Sequence, residues 1–137
     1  MAVEIREVQD KSDLKRFVQF GNDLYKKNPY HVPVLIDDEL GTLDKDRNPS
    51  FEFCEAAYFL AYRDGRIVGR IAGIINHRAN ETWNQSNARF GFVDFINDNA
   101  VVDALFEVVE NWARSKGMEM LQGPMGFTDM DKEGMLI

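Results

Sequence analysis

AYFLAYR at 57–63, the pair Asp64-Gly65, RIVGRIAGIIN at 66–76, FGFVDF at 90–95 and NAVVDALFEVVENWARSK at 99–116 decide the fold. The first two apolar runs flank an Asp-Gly pair, which suits a tight hairpin turn needing positive φ. The third run reads as another strand. In the fourth, Val102, Leu105, Phe106, Val109, Trp112 and Ala113 recur at helical spacing and form one apolar stripe. Trp112 is expected to be largely buried against the sheet. Asp98 or Asn99 can cap the start of this helix, and Lys116-Gly117 gives a basic last turn and a glycine stop.

Working outward, residues 3–8 alternate apolar and polar and predict a first strand. Ser12 or Asp10 can cap a helix carrying Leu14, Phe17, Val18, Leu24 and Tyr25 on one face. Gly21 interrupts it at about 1 kcal/mol relative to alanine, which suits close packing. A second short helix is expected over 34–43 and a polar turn over 44–49. Gly69 and Gly73, inside a strand, mark a bulge or a close backbone approach. Residues 77–88 (HRANETWNQSNA) read as a loop, with Trp83 plugging an edge of the core. A strand is expected at 118–122, broken by Gly123-Pro124. The pattern is that of one α+β domain over 1–137, with a mixed, mainly antiparallel sheet flanked by helices. The apolar end GMLI (134–137) reads as an element being entered, so the domain is expected to be incomplete at its C-terminus.

With 137 residues the chain suits one domain, and at 45% hydrophobic residues it is composed like a globular protein. A net charge of −7, from 16 basic and 23 acidic residues, works against nucleic-acid binding, including an RNA-binding reading of the aromatic strands. It is compatible with an amine substrate, and equally with solubility alone. The single cysteine, Cys54, allows no internal disulfide and points to a cytoplasmic setting. No run is long and apolar enough to predict a membrane span. His31 and His77 with one cysteine make no zinc spacing, so no metal is expected. Walker, dinucleotide and nucleophile-elbow motifs do not occur.

The strand-helix unit 90–116 places helix amides near a strand end, where an anion can sit. Its wording resembles the acyl-CoA N-acyltransferase (GNAT) superfamily. The order β, α, α, β, β, β, α, β is similar to the first part of that fold. The phrases NPSFE (48–52), GRIAGIIN (69–76) and GPMGF (123–127) resemble the N-terminal portion of longer, uncharacterised bacterial GNAT-like proteins. The resemblance implies acetyl-CoA or another acyl-CoA as cofactor, with a small-molecule amine or a protein as acceptor. It implies that Val93, Asp94 and Phe95 face the pantetheine, and that Asn97, Asp98, Asn99 and Ala100 form the pyrophosphate loop. Asp94 is a general-base candidate if burial tunes it; otherwise it is a solvent-facing strand end.

Two departures from the family pattern stand out. The loop INDNAV (96–101) has no glycine or arginine, and Asp98 is an anion where anions should bind. Alternatively, Asp98 is simply the helix cap. The closing helix and strand pair expected after the fifth strand must come from a missing C-terminal region or from a second copy of the chain. Two functions remain open: an acyl-CoA-dependent N-acyltransferase domain, or the N-terminal part of one, and a non-catalytic GNAT-like binding or scaffolding module.

Overall fold

In the computed structural model, which describes residues 3–24 and 36–123, Asp64-Gly65 joins β2 (Cys54–Arg63) to β3 (Arg66–Asn76) as an antiparallel hairpin. Both turn residues have positive φ, 53° and 76°, as a two-residue loop matching the strand twist requires. β1 (Glu4–Glu7) pairs with β2, and β4 (Asn87–Phe95) runs antiparallel to β3. β5 (Met120–Gln122) lies parallel to β4. Sheet order follows chain order, β1-β2-β3-β4-β5. The parallel last step needs a crossover, and α4 (Asn99–Ser115) supplies it. This is the mixed, mainly antiparallel sheet read from the sequence.

The two faces carry different cores. α1 (Lys11–Leu24) and α2 (Ile36–Leu43) cover one face, where Phe17, Val18 and Leu43 pack on Tyr58, Leu60 and Ile74. α4 covers the other, where Val101, Leu105 and Val109 pack on Phe59, Ala61, Ile71 and Val93. Strand periodicity sorts the side chains: Tyr58 and Leu60 point one way, Phe59 and Ala61 the other.

Gly69 and Gly73 let α4 approach the sheet. A Cβ at Gly69 would lie 2.8 Å from Leu105 Cδ1, and one at Gly73 would lie 2.6 Å from the Trp112 ring. The pairing also shifts register at this point, Ala61↔Gly69 being followed by Tyr62↔Ile67. Both readings of the strand glycines therefore hold at Gly69. The Trp112 ring lies over Gly73 but is only partly buried, not largely buried as expected, because it lies at the margin of the stripe.

Some boundaries differ from expectation. The stretch read as a loop from His77 opens with α3 (His77–Thr82), started by Asn76, whose side chain accepts from the Ala79 amide. Trp83 follows this helix and is 74% exposed, so it plugs no core edge. β4 starts at Asn87, earlier than Phe90, because Arg89 pairs on both sides, with Ile74 of β3 and Gln122 of β5, and Asn87 and Ala88 pair with β5. The polar turn after α2 runs into a short 3-10 helix (Pro49–Glu52) capped by Asn48, which accounts for the NPSFE wording. Tyr25, residues 34–35 of the second helix and the 124–127 part of GPMGF lie outside the described residues.

Candidate functional site

β4 is the strand on which the site is built. Arg70 pairs with Asp94, but Ala72 pairs with Gly91, so Phe92 and Val93 both stand opposite Ile71. This is a β-bulge, and Phe92 carries it with φ of 48°. A bulky residue in that region is strained by about 1–3 kcal/mol, held by its surroundings. Here Phe92 packs against the α1-side core. Bulges bend a strand and re-aim its groups.

β5 flanks only the start of β4. The two pair only at Asn87↔Met120, Ala88↔Leu121 and Arg89↔Gln122. Beyond Arg89 the outer edge of β4 has no strand partner among the described residues. The last part of β4, bulge included, thus has no strand on its outer edge among the described residues, which end at Gly123.

Val93 and Asp94 point to opposite faces. Val93 is buried under α4 with Val101 and Leu105. Asp94 is buried on the α1 side. Arg70 Nε donates to its Oδ2 at 2.9 Å, and Arg70 Nη2 lies 2.8 Å from the same atom. The side chains of the pair are 7% and 12% exposed. Arg70 Nη1 also donates to the Phe17 carbonyl at 2.9 Å, and its guanidinium lies 5.1 Å from the centre of the Phe17 ring. The glycine in α1 is explained here: a Cβ at Gly21 would lie 2.5 Å from Arg70 Nη2. Asp94 is therefore neither a solvent-facing strand end nor a free base. It belongs to a buried ion pair that ties α1, β3 and β4 together beside the bulge. The sequence gives no sign of this, since the partners lie on different strands.

Phe95 packs with the α4-side core, followed by Ile96, whose amide donates to the Val68 carbonyl at 3.0 Å. Asn97, Asn99 and Ala100 are exposed. Asp98 is the N-cap of α4, with extended backbone, and Oδ1 accepts from the Ala100 amide at 2.9 Å. Its Oδ2 accepts from Arg63 Nη1, at the end of β2. So the hairpin brings to this helix start the arginine that the loop itself lacks. The Arg63 guanidinium, and after it the Ala100 amide, hold the Asp98 carboxyl below the usual aspartate range.

A carboxyl lowered on folding stabilises the fold above its unfolded-state pKa, and that stabilisation is lost as pH falls through the folded value. Asp98→Asn keeps the capping oxygen and removes the charge. The variant is expected to melt below the parent at neutral pH. The gap should close as pH drops past the ordinary aspartate range. A gap independent of pH would show that the Arg63 pairing contributes nothing.

Among the described residues, no group of three His, Cys, Asp or Glu side chains is placed to hold a metal ion. No helix there is long and apolar enough to cross a membrane.

No family model matches the chain. It is 32% identical over 133 residues to Protein YghO of Escherichia coli (strain K12), and 31% identical over 131 residues to a bacterial ceramide synthase of Caulobacter vibrioides. These alignments take in 97% and 95% of this chain but 34% of each relative, so the chain spans about a third of their length. Among solved structures, it is similar to a tandem GNAT protein from the clavulanic acid biosynthesis pathway, with a TM-score of 0.65 at 14% identity over 87% of this chain and 35% of that one. A predicted acetyltransferase from Clostridium acetobutylicum, solved with acetyl-CoA, gives a TM-score of 0.61 at 13% identity, covering 98% of this chain and 96% of its own. An aminoglycoside acetyltransferase from a soil metagenomic sample also gives 0.61, at 11% identity over 88% of this chain and 75% of that one. The mixed, mainly antiparallel sheet flanked by helices is thus the GNAT fold.

Proposed function

We propose that residues 1–137 form one GNAT-like domain, the N-terminal part of a longer acyl-CoA-dependent N-acyltransferase. The observation that carries this reading is β4, bulged at Phe92 and, among the described residues, without a strand on its outer edge beyond Arg89. An unpaired strand edge suits an extended ligand bearing amide groups, because main-chain hydrogen bonds can continue the sheet. Acyl-CoA has such a segment in its pantetheine. In this reading Val93, Asp94 and Phe95 supply main chain to that arm, and Asn97, Asp98, Asn99 and Ala100 lie towards the pyrophosphate. The chemistry is direct transfer. The amine nitrogen attacks the thioester carbonyl, an amide bond forms, the carbon–sulfur bond breaks, and the amine proton passes to solvent or the leaving thiolate. Asp94, engaged by Arg70, holds the strand rather than taking the proton.

The acceptor we propose is a long-chain amine. A ceramide is an amide of a long-chain amino alcohol, and one relative bears the name bacterial ceramide synthase. The test uses the full-length protein with acyl-CoA and such an amine, following free thiol. Release that depends on the amine is the expected result. Release at the same rate without amine would reject amide formation.

A second reading, a GNAT-like module without catalysis, is favoured by Asp98. Its carboxylate already occupies the start of α4, Arg63 is committed to it, and the loop has no glycine to admit phosphates. The 137-residue chain alone is therefore expected to bind acetyl-CoA weakly or not at all by calorimetry. Charge–dipole terms at an exposed helix start, about 0.3–1 kcal/mol, are too small to replace a shaped loop. Micromolar binding, weakened by substitution of Asn97 or Asn99, would overturn this expectation.

A further inference from the structure

Resting on the acyltransferase reading above, we propose that the acyl donor is recognised through its pantetheine arm alone, and that Asp98 is the specificity-determining residue that excludes the nucleotide half of CoA. The ligand class is a pantetheine thioester, whatever carries the far end of the arm.

The arm is uncharged and bears two amides, so the partner that suits it is a strand edge. β4 provides one. No strand flanks it beyond Arg89 among the described residues, and a Cβ on Gly123 would collide with the Phe90 carbonyl, so the edge concerned runs from Gly91 to Phe95. That stretch spans roughly 15 Å, room for both amides of an extended arm.

The nucleotide half is a different ligand. It is a polyanion, and a helix start receives an anion through amide groups that are still free. At α4 they are engaged. The Ala100 amide donates to Asp98 Oδ1 at 2.9 Å, and the amides of Val101 and Val102 donate to the Asp98 carbonyl at 3.1 and 3.2 Å. The Asp98 amide itself donates to the Ile96 carbonyl at 2.7 Å. Arg63, which reaches this helix start, donates to Asp98 Oδ2. Asp98 first, and Asp64 with it, hold the Arg63 guanidinium above its ordinary range. One cation facing two carboxylates leaves no positive charge for phosphates, and each further phosphate is repelled by Asp98. Residues 96–101 include no glycine through which the main chain could approach them. Asn97, Asn99 and Ala100 are exposed, so the far end of an arm lying on β4 emerges at the surface. The rest of CoA, or a carrier protein bearing the same arm, then stays outside.

The test uses the full-length protein and calorimetry with four probes: pantetheine, CoA, the adenosine bisphosphate half of CoA, and a carrier protein bearing phosphopantetheine. Pantetheine and CoA are expected to bind within about threefold of each other, and the nucleotide half alone not to bind. The carrier-held arm should bind at least as tightly as CoA. Asp98→Asn keeps the capping oxygen and removes the charge. It should raise affinity for CoA about fivefold or more and leave affinity for pantetheine unchanged, whereas a merely structural role would move both ligands together. Asp98→Ser, which also keeps a cap, gives a second arm if the first variant fails to fold. CoA binding about tenfold or more tighter than pantetheine or the carrier, or variants that shift both ligands alike, would overturn the proposal. Equal binding of arm and CoA with no amide formed from any donor would leave the arm site standing and reject the acyltransferase reading. Amide formation with CoA held through its nucleotide would do the reverse.

Discussion

Arg70→Ala is expected to destabilise the fold by about 3–5 kcal/mol in denaturant melts, because it leaves the Asp94 carboxylate buried without its partner. The same change frees the Phe17 carbonyl and empties the space that Gly21 provides. Replacing both charges with apolar residues of similar size, Arg70→Met with Asp94→Leu, should be far milder, because desolvation of an ion pair costs about as much as its attraction returns. A small loss in the single variant, under about 1 kcal/mol, would show that water reaches the pair. The comparison separates the cost of orphaning a charge from the value of the pair itself. If the double variant is stable but registers β4 differently, the pair serves to fix the bulge and not to strengthen the core.

Trp112→Ala should cost about 3 kcal/mol, the lower end of the range for buried aromatics, because the ring is only partly covered. Gly73→Val alone should cost about 1–3 kcal/mol by forcing a Cβ into that ring. Combined with Trp112→Ala, the valine should recover part of the loss, since it fills space the ring has left. Equilibrium melts of the four proteins form a double-mutant cycle. Strict additivity would mean that the ring and the glycine do not share one space, contrary to the 2.6 Å approach a Cβ would make.

Those two sites show what a sequence can and cannot tell. The hairpin was legible because Asp64-Gly65 names its own backbone conformation. α4 was legible because apolar residues at helical spacing have one way to be buried, although the buried stripe begins at Val101 and not at Val102, and Asp98 declared itself as a cap by its place before them. Gly69 and Gly73 signalled a close approach without saying to what. The ion pair of Arg70 with Asp94 was not legible: it joins residues on two strands, and nothing local requires it. Nor was the bulge. The glycine of FGFVDF is Gly91, yet the positive φ falls on Phe92, a residue that local preference would keep extended. Trp83 misled because a large apolar side chain is usually covered, and α3 because six residues with Ala79 alone apolar carry no apolar stripe. Arg63 was missed as a neighbour of Asp98 because the hairpin, not the loop, delivers it.

Sheet order that follows chain order has a consequence for the timing of folding. β1 reaches β2 only across α1 and α2, but β2, β3 and β4 are joined by short connections and can zip by short loop closures as the chain appears. β5 cannot. It must wait for the whole of α4 to fold back over the sheet, and it then gains only three residue pairs with β4, at Asn87, Ala88 and Arg89. Such a strand is the last to dock and the first to fray. The bulged part of β4 therefore belongs to the most durable part of the fold, while the strand that flanks its start is the most easily released. A site built that way can admit a long, jointed ligand by letting that strand go, with no separate lid.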